Sequence, residues 1–164
     1  MKPASIRIFP NPILRKKTQT VTAFDRSLLK LVAMLIRVMK SQPHGIGIAA
    51  PQIGISKAVA VVDVSKRGPK AERLILINPV ILEKREPEAR KEGCMSLPDY
   101  TAFLKRYRWV RFRWQNERGE FREKISTGIE AVCVEHEVDH LNGVLFIDRV
   151  TCLKTDLVPR SSIK

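Results

Sequence analysis

The stretch CVEHEVDHLNG at positions 133–143 restricts what this chain can fold into more than any other feature does. It places His136 and His140 four residues apart, with Glu137 beside the first, inside an apolar run. Residues four apart on an α-helix lie on one face, one turn along the axis, so two imidazoles can bind one metal ion. Glu137 then lies beside the metal, where a carboxylate can take a proton from water and return it to a leaving group. The pattern therefore predicts a metal-binding helix over 127–141.

The third protein ligand decides the class of metal site. Metalloproteases with an HExxHxxGxxH pattern use a third histidine, but Phe146 stands at that position here, and no convincing glutamate follows it. The third ligand must therefore lie upstream. Cys133 lies roughly 7.5 Å along the helix axis from the midpoint of the two histidines, too far for a thiolate. Cys94, in KEGCMSLPD, is the better candidate, and a Cys–His–His set leaves a fourth position open for catalysis.

The remaining hydrophobic patterns predict both helices and strands. Residues 25–41 carry apolar side chains at three-and-four spacing, which predicts an amphipathic helix with Asp25 as its N-cap. Runs of β-branched residues at 58–64 and 74–82 predict a pair of strands, and the alternation over 107–125 around the turn NERG predicts a hairpin. The predicted fold class is α+β, with antiparallel β-sheets surrounding a central HExxH-bearing helix and an N-terminal amphipathic helix.

Length and charge limit the organisation of the chain. At 164 residues, residues 1–164 are expected to form a single domain. Thirty basic and seventeen acidic residues give a net charge of +13, which suits a polyanionic partner such as RNA or a ribosome surface. A basic surface without a specific partner explains the charge equally well. Both interpretations stay open at this point.

Cysteine usage and hydropathy predict the compartment. The three cysteines show no CxxC spacing, which argues against a secreted disulfide framework. The N-terminus lacks the apolar core of a signal peptide, and no stretch approaches the roughly 18 apolar residues of a membrane span. We therefore expect a cytoplasmic protein without membrane contact. The segment LVPRSS resembles a protease site of expression vectors, so residues 157–164 are interpreted as a cloning remnant.

Three segments together resemble the motifs of peptide deformylase. They are GIGIAAPQ at 45–52, EGCMS at 92–96 and EHEVDHLNG at 135–143, in the order and at about the separations of that family. The similarity extends from ILRKKTQTV near the N-terminus to LFIDRV around residue 150. HExxH alone is shared by many unrelated hydrolases, whereas the three matched motifs together are specific.

The resemblance implies a hydrolase that removes the formyl group from formyl-methionyl nascent polypeptides and releases formate. It implies that Cys94, His136 and His140 bind one divalent metal ion, Fe(II) in this family, with Zn, Ni or Co as alternatives in purified protein. It also implies attack of a metal hydroxide on the formyl carbon, with Glu137 as general base and acid. The implied partner is the formyl-methionyl peptide. The basic surface predicts association with the ribosome, and we expect no DNA or membrane partner.

The resemblance also implies how the substrate is bound. Gln52 and the backbone N–H of Met95 would stabilise the oxyanion, since neutral donors can be held fixed in a water-poor site. The substrate peptide would add as a strand along Gly45, Ile46 and Gly47, because glycine lets a peptide approach closely. The methionine pocket has three candidate residues, each equally well explained as core: Ile46, Val132 and Cys133.

Several positions near the motifs differ from the family or have a structural interpretation. Glu135 stands where the family usually has Gln, and we expect it to be paired or protonated if it is buried. Glu92 and Arg106 align with a charged pair of the family that we interpret as structural. Asp139 is likewise interpreted as structural, and His44 as a surface residue.

Two other functions remain to be distinguished from deformylation. An HExxH endopeptidase would share the metal chemistry, but it lacks its downstream ligand here and does not explain GIGIAAPQ. An RNA- or ribosome-binding module with a structural or decayed metal site would explain the charge. A structural zinc site would favour four protein ligands, whereas the sequence provides three.

Overall fold

The computed structural model describes residues 5–67 and 72–160. The described chain contains helices and strands in the order α1 (Arg26–Lys40), β1 (Gly47–Ala49), β2 (Val59–Asp63), β3 (Arg73–Cys94), β4 (Leu97–Gln115), β5 (Phe121–Thr127), α2 (Gly128–Leu141), α3 (Leu153–Asp156) and β6 (Leu157–Pro159). The predicted mixture of helices and antiparallel sheet is confirmed. Within these residues, we find no helix with the length and apolar character needed to cross a bilayer.

Helix α1 begins and packs as its sequence pattern predicts. The Asp25 side chain accepts hydrogen bonds from the backbone N–H groups of Ser27 and Leu28, at 2.9 and 3.1 Å. These bonds satisfy donors that have no partner within the helix. The apolar stripe forms one core cluster with β1 and β2, and its six buried members are Leu28, Leu31, Val32, Leu35, Val38 and Met39.

The strands form one antiparallel sheet in the order β1-β2-β3-β4-β5, and β6 pairs with the N-terminal part of β4. The predicted pair over 58–64 and 74–82 is observed as β2 and β3, with Val59 opposite Ile77. Strand β3, however, continues twelve residues beyond position 82, to Cys94. Cys94 is therefore the last residue of a strand.

The extension of β3 crosses a charged segment that contains Pro87. It is stabilised by pairing with β4, in which Pro87 lies opposite Tyr107. Bulges interrupt the register between Ile77 and Val80 and between Ile81 and Glu83, and such bulges bend a strand. The bent ribbon of β3 and β4 carries Glu92 and Cys94 back to the centre of the molecule.

The hairpin predicted over 107–125 is observed as β4 and β5, with Gln115 opposite Phe121. The turn is held by Asn116, whose Oδ1 accepts hydrogen bonds from the backbone N–H groups of Arg118 and Glu120, both at 3.0 Å. The inward side chains of β4 are buried as the alternation predicts: Val110, Phe112 and Trp114. They pack against the helix that follows the hairpin.

Helix α2 carries the HExxH residues and packs against β1, β2, β4 and β5. Its apolar residues join those of the sheet in one core cluster, including Ala131, Val134, Val138 and Leu141. Its charged residues Glu135, Glu137 and Asp139 are also buried. A buried charge is costly unless it is paired, so each of these carboxylates must have a partner or a chemical role.

The C-terminal segment also pairs with the sheet. Residues Leu157–Pro159 form β6, in which Val158 lies opposite Thr101. Residues 161–164 lie outside the described part of the chain. The interpretation of 157–164 as a cloning remnant stays a prediction.

Candidate metal centre

Cys94, His136 and His140 converge at the end of β3. One ligand atom from each lies within 4.8 Å of the others, and Cys94 Sγ is 3.2 Å from His140 Nε2. The fold achieves this because β3 ends beside α2, where the two histidines lie one helical turn apart. A thiolate and two imidazoles form a donor set suited to a divalent transition metal.

Glu92 fixes the orientation of His136. Its Oε2 lies 2.9 Å from His136 Nδ1, which leaves the other ring nitrogen for a metal ion. Arg106 donates to the same carboxylate, from Nε at 2.6 Å and from Nη2 at 3.1 Å. Burial would raise the pKa of Glu92, but His136 and Arg106 outweigh it and lower the pKa to about 2. Glu92 is therefore a carboxylate that holds the imidazole in place.

Asp139 belongs to the same buried network and not to the ligand cluster. Its carboxylate accepts hydrogen bonds from Arg106 Nη1 at 2.7 Å and from Arg149 Nη2 at 2.7 Å. Arg106, on β4, thus connects Asp139 of α2 with Glu92 of β3. The structural interpretation of Asp139, Glu92 and Arg106 agrees with these contacts.

Glu137 differs from the other buried carboxylates because it has an unpaired oxygen. Its side chain is 2% exposed, and Oε2 has no hydrogen-bond partner among the described residues. Burial raises the pKa of Glu137 to about 7, against the opposing effect of His136 and His140. His140 Nδ1 is the other buried side-chain atom without a partner in residues 5–67 and 72–160. The unpaired oxygen of Glu137 fits a site that a reactant completes, whereas His140 Nδ1 is the ring nitrogen that does not face Cys94.

The two buried cysteines have opposite electrostatic environments. Burial would raise the pKa of the Cys94 thiol, but His140 and His136 outweigh it and hold the pKa well below its usual value. Burial raises the pKa of Cys133, whose Sγ lies 3.4 Å from the backbone oxygen of Ile46. Cys94 therefore has the environment of a thiolate ligand, and Cys133 that of a neutral core residue.

Gln52 lies directly beside the ligand cluster and is 1% exposed. Its Oε1 accepts a hydrogen bond from the backbone N–H of Ala49 at 2.9 Å, which directs Nε2 toward Cys94 Sγ, at 3.5 Å, and Ser96 Oγ, at 3.2 Å. Met95 is half-buried and lines the same cavity. The sequence reasoning missed Ser96, although it lies within the EGCMS motif.

The glycines of the first motif line the cavity together with Ile46. A Cβ at Gly45 would lie 2.2 Å from the backbone oxygen of Met39, and one at Gly47 would lie 2.3 Å from Glu137 Oε1. The absence of side chains here is therefore required by α1 and by Glu137. The sequence analysis explained these glycines by the approach of a substrate. The structure adds a second reason, which is packing within the protein itself.

Glu135 is buried and paired, as expected for a charge on this helix. Its Oε2 lies 3.0 Å from Lys84 Nζ, and its Oε1 accepts a hydrogen bond from the backbone N–H of Tyr107 at 2.8 Å. Both contacts are with the β3–β4 ribbon. Glu135 therefore attaches α2 to the sheet and does not line the cavity.

The cavity in front of the cluster has a volume of about 370 Å³. One wall is apolar and contains Ile129, Val132 and Cys133, while exposed His44 lies at its rim. Sequence reasoning did not identify the cations Arg90, Lys91 and Arg160 at this cavity. Among thirty basic residues, they carried no distinguishing signal.

Comparisons with known proteins agree with this geometry. Residues 3–156 match the family model described as polypeptide deformylase. A peptide deformylase from Desulfotalea psychrophila is 42% identical over 150 residues, which cover 91% of this chain and 88% of that protein. The crystal structure of peptide deformylase from Thermotoga maritima aligns with a TM-score of 0.85 at 40% identity, covering 93% of this chain and all of that one. A Synechococcus elongatus peptide deformylase in complex with actinonin aligns with a TM-score of 0.85 at 35% identity, covering 92% and 82% of the two chains.

Proposed function

We propose that this chain, which belongs to the polypeptide deformylase family, hydrolyses the formyl amide of formyl-methionyl nascent polypeptides. The reaction consumes water and releases formate and a peptide with a free amino group. The observation that carries the proposal is the buried carboxylate of Glu137, unpaired at Oε2, beside the convergent donors of Cys94, His136 and His140. We further propose that residues 1–164 act as a single catalytic domain.

Glu137 moves the proton in this proposal. A divalent ion held by Cys94, His136 and His140, which we expect to be Fe(II), would supply a Lewis acid and lower the pKa of a water molecule. Glu137 Oε2 accepts the proton of the attacking water, and the same atom then donates it to the amide nitrogen that leaves. The absence of a hydrogen-bond partner for this oxygen among the described residues supports both steps.

Gln52 and the backbone N–H of Met95 are proposed to stabilise the negative charge that develops on the formyl oxygen. The Gln52 amide is supported for this role because Ala49 holds its Oε1 and its Nε2 points toward the ligand cluster. A fixed donor pays no cost of reorientation during the reaction. Gln52 Nε2 donates a hydrogen bond to Ser96 Oγ at 3.2 Å, and this bond marks the direction available to a substrate oxygen.

The segment of Gly45, Ile46 and Gly47, which leads into β1, is proposed to bind the peptide backbone. Strand β1 ends the sheet and pairs with β2 on one side only, so its outer edge is available among the described residues. An extended peptide can add to such an edge through backbone hydrogen bonds. The methionine side chain would then enter the apolar part of the cavity, beside Val132 and Cys133.

The proposed activity is tested by formate release from a formyl-Met-Ala-Ser peptide, using protein purified without oxygen and with its metal content measured. We expect rapid release, and we expect a chelator to abolish it and added Fe(II) to restore it. The acetylated and unmodified forms of the same peptide are the controls, since an endopeptidase would cleave their internal bonds. Cleavage of internal bonds, or no formate release from metal-loaded protein, would contradict the proposal.

We also propose that the enzyme is cytoplasmic and associates with the ribosome. The net charge of +13 supports a polyanionic partner, and the free cysteines support a reducing compartment. On the β3–β4 ribbon, cations lie over aromatic rings, namely Lys84 and Lys105 over Tyr107, Arg85 over Trp109 and Lys91 over Phe103. Such pairs present a basic and aromatic surface of the kind that binds RNA.

This association predicts that the protein sediments with ribosomes at low salt and is released at about 1 M salt, where charges are strongly screened. We expect the double variant Arg85→Glu, Lys105→Glu to lose most of the bound fraction. The control is Arg118→Glu, which reverses one charge in the β4–β5 turn, away from the ribbon. Equal sedimentation of the double variant and the unchanged protein would exclude the ribbon as the ribosome-binding surface.

A further inference from the structure

Arg160 reaches the mouth of the catalytic cavity from the C-terminal strand. Strand β6 pairs with β4 over Tyr100–Ala102, and the backbone N–H of Arg160 then donates a hydrogen bond to the backbone oxygen of Asp99 at 2.8 Å. The Arg160 side chain lines the cavity together with Gly93, Cys94 and His136. The backbone pairing thus fixes the base of an exposed arginine beside the metal ligands.

The guanidinium group lies directly against Gly93. A Cβ built at Gly93 would be 2.0 Å from Arg160 Nη2, so the guanidinium occupies the space that a side chain at this position would enter. Gly93 immediately precedes the ligand Cys94 in the chain. Arg160 therefore places a positive charge one residue from the reaction centre along β3.

The charge of Arg160 has no acidic partner among residues 5–67 and 72–160. None of their carboxylates lies within salt-bridge distance of its guanidinium, whereas Arg90 at the same cavity is ion-paired with Glu88. The cavity contains two carboxylates, Glu92 and Glu137, and both are buried, at 8% and 2% exposure. Glu92 is already bound by Arg106 and His136.

Lys91 adds a second positive charge to the same mouth. Its Nζ lies 5.8 Å from the centre of the Phe103 ring. The entrance thus combines cations with no exposed carboxylate among its described lining residues. A negatively charged group of the substrate would meet no repulsion from an exposed acid there.

We propose that Arg160 binds a carboxylate of the substrate peptide, and that the enzyme therefore prefers formyl-methionyl peptides with an acidic side chain soon after the methionine. This inference rests on the proposed deformylation and names its substrate class. The planar guanidinium binds a carboxylate through two parallel hydrogen bonds, which a lysine ammonium cannot reproduce. Arg160 lies beyond residue 156, where the match to the family model ends, and within the segment 157–164 that the sequence pattern led us to interpret as a cloning remnant, so a role of Arg160 in substrate binding would contradict that interpretation.

The test compares peptides that differ by one charge. The substrates are formyl-Met-Glu-Ala-amide and formyl-Met-Ala-Glu-amide, each with its Gln counterpart, and the amide removes the terminal carboxylate as a second source of charge. For the unchanged protein, we expect kcat/KM to favour Glu over Gln about threefold to fivefold at one of the two positions, as for an exposed ion pair. The preference should arise mainly in KM and disappear at about 1 M salt.

We expect Arg160→Gln to abolish the preference, and Arg160→Lys to retain part of it. Arg118→Gln removes an equal charge from an exposed turn outside the cavity and should leave the preference intact. An identical Glu-to-Gln ratio in Arg160→Gln and the unchanged protein at both positions would overturn the inference.

Failure of the proposed function would look different, because no peptide would then release formate. In that case calorimetric titration of the same four peptides decides the inference. Tighter binding of a Glu peptide that depends on Arg160 would support it, and equal affinities for the Glu and Gln peptides would overturn it.

Discussion

Glu137→Gln is expected to lower kcat for formate release by about a thousandfold, the range observed when a general acid–base group is removed. The substitution keeps the shape of the side chain, but an amide cannot accept and return a proton near neutral pH. Glu137 is not one of the three convergent ligands, so metal content should stay unchanged. Thermal stability should not fall, because the change replaces a buried carboxylate whose Oε2 has no partner among the described residues by a neutral group.

Glu135→Gln provides a matched control on the same helix. Glu135 is also buried, but its two oxygens contact Lys84 Nζ and the Tyr107 backbone N–H, and it does not line the cavity. We expect Glu135→Gln to change kcat less than tenfold, since it does not contact the reacting atoms. Both variants are measured as kcat and KM on the same formylated peptide, together with metal content and melting temperature.

Two outcomes would contradict these roles. Activity of Glu137→Gln within tenfold of the unchanged protein would remove Glu137 from the proton transfer. A loss of more than a hundredfold in Glu135→Gln, about 2.7 kcal/mol of barrier, would show that Glu135 belongs to the mechanism. Loss of metal in either variant would show that the substitution acts through the ligands.

Local patterns were sufficient to predict the elements that carry the site. The stripe of α1 and the alternation of β4 each arise from one element packing one face against the core. Helix α2 is buried on nearly all sides, and there the HExxH spacing itself was the signal. The convergence of Cys94 with the histidines was expected from chemistry and from the resemblance, because spacing along a helix cannot identify a ligand on a distant strand. The position of Cys94 depends on the pairing of β3 with β4. The sequence pattern predicted β3 only as far as residue 82 and therefore did not predict this part of the pairing.

The extension of β3 was missed because its local sequence opposes it. Charged residues and Pro87 are unfavourable signals for a strand, yet pairing with β4 across an exposed ribbon tolerates them. Tertiary pairing therefore overrides local propensity here. The same limitation hid Arg160, whose position depends on the pairing of β6 with Tyr100–Ala102, near the start of β4.

The burial of Arg106 had a weak signal in the sequence. Strand β4 buries alternate residues, and Arg106 lies in phase with Ala102 and Leu104, which are fully or almost fully buried. A basic residue at such a position must be paired, because an isolated buried charge is very costly. The sequence contains many arginines, and nothing local distinguishes Arg106 from the exposed ones. Its two acidic partners, Glu92 and Asp139, come close to it only when β3, β4 and α2 pack together.

Arg106→Met is expected to lower the free energy of unfolding by about 3–5 kcal/mol, because removing one partner leaves the other charges buried without compensation. Arg106 is 1% exposed and donates hydrogen bonds to both Glu92 and Asp139. Asp139 keeps its contact with Arg149, but Glu92 keeps only His136. For a domain of this size, the loss corresponds to a decrease in melting temperature of roughly 10 °C.

Urea denaturation of metal-free protein measures this loss without a contribution from metal binding. Arg111→Met, on the same strand, removes a 42% exposed arginine that is paired with Glu83 and Glu123, and it should cost less than about 1 kcal/mol. Adding Glu92→Gln to Arg106→Met should recover part of the lost stability, since it neutralises one of the two buried carboxylates that Arg106 had paired. Equal losses in Arg106→Met and Arg111→Met, or no recovery in the double variant, would show that the buried network contributes packing and not charge compensation.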